Sequence, residues 1–92
     1  SVPPNLSSGY TASMRFWRAG ISSTLAAEYT ATQASGITLG ALGAITVDYT
    51  IVDTGLDAVS TLDANWHYTL ALQQTGYQAK QILSGPFIRM QP

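Results

Sequence analysis

"WHYTLALQQTGYQAKQIL", residues 66–83, decides how this chain folds. Trp66, Tyr68, Leu70 and Leu72 alternate with His67, Thr69 and Ala71. A period of two means a strand with one face toward a core, and β-branched and aromatic residues suit it. "QQTGY" then supplies a turn with a glycine, and "QAKQIL" returns, so the stretch reads as a hairpin. Trp66 and Tyr68 go inward on this phase, which sends His67, the single histidine of the chain, outward.

The same period appears in "YTASMRFWR", residues 10–18, where Tyr10, Ala12, Met14 and Phe16 share one face. Trp17 lies on the opposite face, where it either covers an edge or marks a contact surface. "ISSTLAAEYTAT", residues 21–32, suits helix or strand, and its Thr residues and neighbouring strands favour a strand. "ASGITLGALGAITVDYTIV", residues 34–52, reads as a short strand, a turn at Gly40 and Gly43, and a long strand placing Ile45, Val47, Tyr49 and Ile51 on one face. The stretch 52–65 is the helical piece, a turn or so, capped by Asp53 or Thr54 with Leu56 and Val59 spaced i, i+3. "SGP", residues 84–86, breaks the return strand, and "FIRM" makes a last one.

About seven short strands with turn signals every 8–12 residues predict an all-β fold, an antiparallel β-sandwich with one short helical turn; a small barrel is the other candidate. Ninety-two residues make a single domain. Its expected bounds are 10–92, preceded by an extended arm at 1–9, where Pro3 and Pro4 favour a polyproline-like path. Ser1 is read as the residue left after Met removal.

Charged residues are 10% of the chain, against about 25% in an ordinary domain. Ser, Thr, Ala, Gly and Gln take their places, as on a surface covered by partners or on strand exteriors. The four cations, Arg15, Arg18, Lys80 and Arg89, are dispersed, so no basic stripe addresses nucleic acid. There is no cysteine, hence no disulfide and no thiolate chemistry. No apolar run reaches the ~20 residues of a membrane helix, and "SVPPNLSSGY" has no signal-peptide pattern.

The chemical inventory is thin. His67 has no second histidine or cysteine to join at a metal. Asp53 and Asp57 would share a face on a helix, which is too few ligands for an oxygen-only cation site. No serine sits in a G-x-S-x-G elbow, and "GITLGALG" lacks the lysine of a phosphate loop. We therefore expect no catalytic, cofactor-binding or metal-binding residues. Aromatic residues with neighbours such as Asn65 and Gln73 could alternatively stack and hydrogen-bond a sugar.

Taken in order, "GYTASMRFWR" (9–18), "GITLGALGAITVDYTI" (36–51) and "LDANWHYTLALQQTGYQAKQILSGPFIRMQP" (62–92) resemble small immunoglobulin-like domains of tailed-bacteriophage virion proteins. The family's "GYTARMQIR"-like first strand is matched by Gly9 to Arg15. Its "GITLG" hairpin is matched by Gly36 to Thr50, and the apolar residue closing its helical turn by Leu62. Trp66 to Leu72, Gly76 and Ile82 to Pro92 take the places of its aromatic strand, glycine turn and ending. Thr69 and Ala71 depart from it where acidic residues are usual, and Trp66 and His67 replace smaller or tyrosine residues. The resemblance implies an Ig-like sandwich and a non-enzymatic structural subunit of a tail, baseplate or fibre anchor. Such a subunit assembles in the bacterial cytoplasm and docks onto other virion proteins or symmetric copies of itself. The alternatives are a head-decoration or head-fibre-anchoring protein and a carbohydrate-binding module for host adsorption. Interface candidates are Val2, Pro3, Pro4 and Leu6 on the arm, with Trp17 and His67 on the outer face.

Overall fold

A computed structural model describes Leu6 and residues 8–89 of the chain. Among the described residues are strands β1 (Tyr10–Arg18), β2 (Tyr29–Gln33), β3 (Gly36–Leu39), β4 (Ile45–Val47), β5 (Asn65–Gln74) and β6 (Lys80–Ile88), a 3-10 turn at Ala41–Gly43 and one α-helix, α1 (Tyr49–Val59). The strands form a single sheet in the order β4-β3-β2-β1-β5-β6. The protein is mostly β, with six described strands where the pattern predicted about seven, and the sheet is mixed where it predicted an antiparallel one.

The centre of the sheet follows the alternation. In β1 and β5, Ala12 faces Leu72, Met14 faces Leu70 and Phe16 faces Tyr68, so both apolar rows lie on one face. Phe16 is fully buried and anchors that face. Its ring meets Tyr29 at 5.7 Å, Tyr68 at 6.3 Å and, edge-on, Phe87 at 5.2 Å. Leu6, an interface candidate, is part of this core and donates its N–H to the Gly40 carbonyl at 3.0 Å. Val2, Pro3 and Pro4 lie outside the described residues.

The flanks depart from expectation. The strand expected over 21–32 shrinks to β2. Gly20, at φ 90°, turns the chain back, with the Ile21 N–H on the Arg18 carbonyl, and residues 19–28 then lie across the outer face. Between β2 and β3 the chain sidesteps instead of reversing. Ala34, at φ 68°, closes a tight loop in which Ser35 N–H bonds the Thr32 carbonyl at 2.9 Å, so Thr32 pairs with Gly36 in parallel. Parallel strands normally need a long crossover, but this one is a local kink in a run that keeps its direction.

The long strand predicted through Ile51 ends at Val47, and α1 begins at Tyr49, so that neither Asp53 nor Thr54 is its cap. Asp48 is the cap, its carboxylate accepting from the Ile51 N–H at 3.2 Å. The alternation of Ile45, Val47, Tyr49 and Ile51 competes with the i, i+4 pair Val52 and Leu56, both fully buried, and the helix gains more apolar burial. The helix lies on β2 and β3. At Gly55 the approach is so close that a Cβ would fall 2.2 Å from the Tyr29 ring.

"SGP" does not break β6, which runs unbroken through Pro86 opposite His67. An edge strand tolerates a residue with no amide proton. Ile82 is an extra residue between the Ala71–Gln81 and Leu70–Leu83 pairs, a bulge that bends this edge. The sheet curls enough that Tyr49, at the start of α1 beyond β4, stacks on Phe87 of β6 at 5.9 Å. The helix thus bridges the mouth of a curled sheet.

Arg89, just past β6 and 4% exposed, closes that mouth. Its Nε donates to Asp53 at 2.6 Å and its Nη2 to Asp57, while Nη1 donates to the carbonyls of Ser60 at 3.1 Å and Asp63 at 3.3 Å. Hydrogen bonding to Asp53 and then Asp57 raises the guanidinium pKa above its ordinary value, against a smaller opposing effect of burial.

Two substitutions test this architecture. Gly55→Ala would raise helix propensity by about 1 kcal/mol in open solvent. Here it is expected to lower the urea midpoint, because Tyr29 must leave Phe16; a raised midpoint would place α1 further from β2. Arg89→Met is expected to cost about 3 kcal/mol, the lower end for breaking a buried ion pair, since both carboxylates stay partly in water. A loss within 0.5 kcal/mol, the ordinary range for surface sites, would show that the clamp is dispensable.

Candidate functional site

Two hollows lie on opposite faces of the sheet. The outer one lies beside His67, which is stacked on Trp17. Trp17 and His67 are cross-strand partners on β1 and β5, and their rings stack at 5.4 Å and 14°. Trp17 is only 1% exposed, because the loop from Ala19 to Glu28 covers it and its indole N–H donates to the Leu25 carbonyl at 3.0 Å. The Arg15 guanidinium lies 5.8 Å from the Trp17 ring centroid, within the range of a cation–π contact. The loop is pinned again at its end, where Arg18 Nε donates to Glu28 at 2.7 Å.

His67 does face outward, but it is half-buried and engaged. Its Nε2 lies 2.7 Å from the Ile21 carbonyl, so that nitrogen carries the proton and donates. The bond ties β5 to the β1–β2 loop and leaves Nδ1 as the acceptor nitrogen of the ring. Beside it a hollow of about 370 Å³ is lined by Ser23, Thr69, Gln81, Ser84 and Pro86. Thr69 is 9% exposed and its Oγ1 has no hydrogen-bond partner. Buried hydroxyls of that kind are uncommon, since each costs about 1–3 kcal/mol when unpaired.

The second hollow, about 550 Å³, opens on the core face at the far end of the β5–β6 hairpin. It is lined by Tyr10, Leu72, Gln74, Tyr77, Lys80 and Ile82, with Gln78 and Ala79 at the turn. The bulge at Ile82 puts two consecutive apolar residues, Ile82 and Leu83, on this face. Sequence reading missed it, because Tyr10 and Tyr77 are 67 positions apart and a turn tyrosine carries no periodic signal.

The sequence candidates separate accordingly. Trp17 and His67 come together, but as a stack covered by the chain's own loop. Leu6 goes to the core on the other face. Asn65 and Gln73 do not join the tryptophans: Trp66 is buried, and Gln73 bonds the Tyr77 carbonyl at 2.9 Å. Asp53 and Asp57 do share a helix face, and the cation between them is Arg89. Their i, i+4 spacing was the signal for that clamp. Among the described residues no group of three His, Cys, Asp or Glu could hold a metal, and no helix is long and apolar enough to cross a membrane.

No family model, no curated protein and no solved structure matches this chain.

His67→Ala is expected to keep the sheet folded and to cost about 1–2 kcal/mol, for a lost stack and hydrogen bond. Amide exchange should rise in residues 20–25 and stay slow in β1 and β5. Global unfolding of the variant would contradict the loop-tying role.

Proposed function

We propose that this chain is a non-enzymatic structural subunit of a tailed-bacteriophage virion, docking onto neighbouring virion proteins or copies of itself. The family resemblance of its strands supports the reading. On this view the curled sheet is a divergent immunoglobulin-like scaffold, serving the tail, the baseplate, a fibre anchor or the head.

The observation that carries the docking reading is a gathering of exposed aliphatic side chains at one end of the sheet. There Ala19 N–H bonds the Asn65 carbonyl, Arg89 N–H bonds the Ala64 carbonyl, and the Trp17 indole holds Leu25. Three segments therefore end together, and they expose Leu25, Leu62 at 93% and Ile88. Single exposed leucines are ordinary, but clustered ones mark contact surfaces. The charges nearest them are paired with one another, Arg18 with Glu28 and Asp63, and Arg89 with Asp53 and Asp57. The β6 edge itself is a poor docking strand, because Pro86 and the bulge both disrupt its outer ladder.

Light scattering tests this, with the protein alone and then with tail, baseplate and head proteins of the same virus. A defined oligomer or complex is expected, and Leu62→Asp combined with Ile88→Asp should dissociate it without lowering the melting temperature. A monomer indifferent to all of those proteins would overturn the reading.

A further inference from the structure

We infer that the hollow at the β5–β6 turn is a binding site for an acidic sugar unit of a glycan. This goes beyond the docking role and uses the opposite end of the molecule from Leu25, Leu62 and Ile88.

The lining has the composition of a ligand pocket, mostly apolar with a few placed polar groups, and about 550 Å³ is within the usual range. Tyr77 is 67% exposed, an aromatic face offered to solvent, and Tyr10 stands half-buried beside it. Leu72 and Ile82 complete an apolar floor. A pyranose presents an apolar C–H face with hydroxyls at its rim, and the C–H groups suit the negative face of an aromatic ring. The carboxamides of Gln74 and Gln78 each offer donors and an acceptor, as hydroxyls require.

Lys80 decides the charge. Among the described residues it is the one charged residue lining the hollow, and no carboxylate lines it. A cation beside an apolar floor favours a ligand carrying an anionic group on a compact ring, and the charge-assisted bond is the stronger kind. A uronic acid or another carboxylate-bearing sugar meets all three requirements.

The platform is also pre-organised, which limits the entropy lost on binding. Tyr77 sits on a turn where its N–H bonds the Gln74 carbonyl at 2.9 Å and its carbonyl accepts from Gln73. Gly76, at φ 88°, permits the turn. Thr75 bonds the Gly9 carbonyl through its N–H at 2.9 Å and its hydroxyl at 3.1 Å, tying the turn to the start of β1.

The test is an amide-shift NMR titration of the full chain with oligomers of D-glucuronic acid, and with glucose oligomers as the neutral counterpart. Shifts are expected at Tyr10, Gln74, Tyr77 and Lys80, with affinity for the acidic oligomer at least tenfold the higher. Tyr77→Ala, on an exposed turn, should reduce binding at least tenfold while the melting temperature holds. Lys80→Gln should bring the two oligomers to equal affinity. Equal binding of both oligomers by the unmodified protein, shifts confined to other surfaces, or no shift at millimolar probe would overturn the inference. None of these results depends on whether the Leu62 end assembles.

Discussion

Arg89 is the point on which this architecture closes. A single sheet of this size must bury one apolar face, and α1 is the helix that lies against it. The helix stays over the mouth of the curl because a buried guanidinium joins Asp53, Asp57 and two carbonyls of the α1–β5 connection to the end of β6. A buried charge is tolerated when its donors are met, and here Nε and both terminal nitrogens find acceptors. The raised pKa means that the cation's contribution is present at all ordinary pH and is lost only as pH rises through that raised value.

With the helix held there, the two faces of the sheet acquire different characters. The core face collapses around Phe16, where rings from β2, β5 and β6 converge. Among the described residues no helix packs on the outer face, which is covered in part by the loop between β1 and β2. That cover rests on the Trp17–His67 stack and two carbonyl contacts, from Trp17 to Leu25 and from His67 to Ile21. The two proposed contact regions therefore lie at the ends: aliphatic side chains beside the start of β5, and a tyrosine-flanked hollow at its finish. A module that docks by one end and presents a ligand site at the other is consistent with that division.

Much of the centre was legible in the sequence. The alternation in residues 10–18 and 66–72 correctly assigned Trp66, Tyr68, Leu70 and Phe16 to the core and His67 to the outer face. Reading failed where two periods overlap. Tyr49, Ile51 and the β-branched neighbours Thr50 and Val52 looked like strand, yet Val52 and Leu56 also lie four apart. Pro86 was read as a strand break, since nothing local tells an edge strand from a central one. The fate of Trp17 was equally hidden, because what buries it is a loop whose composition carries no periodicity.

The sequence by itself determined the phase of the two central strands, the hairpin turn at Gly76 and the scarcity of charge. These follow from local alternation and backbone preference, which act over a few residues. Only the tertiary structure decided that residues 49–59 are helix, that Asp53 and Asp57 enclose a guanidinium, that His67 holds a loop, and that Tyr10 meets Tyr77 across a hollow. Each depends on free energy gained between segments far apart in the chain, which no local pattern records.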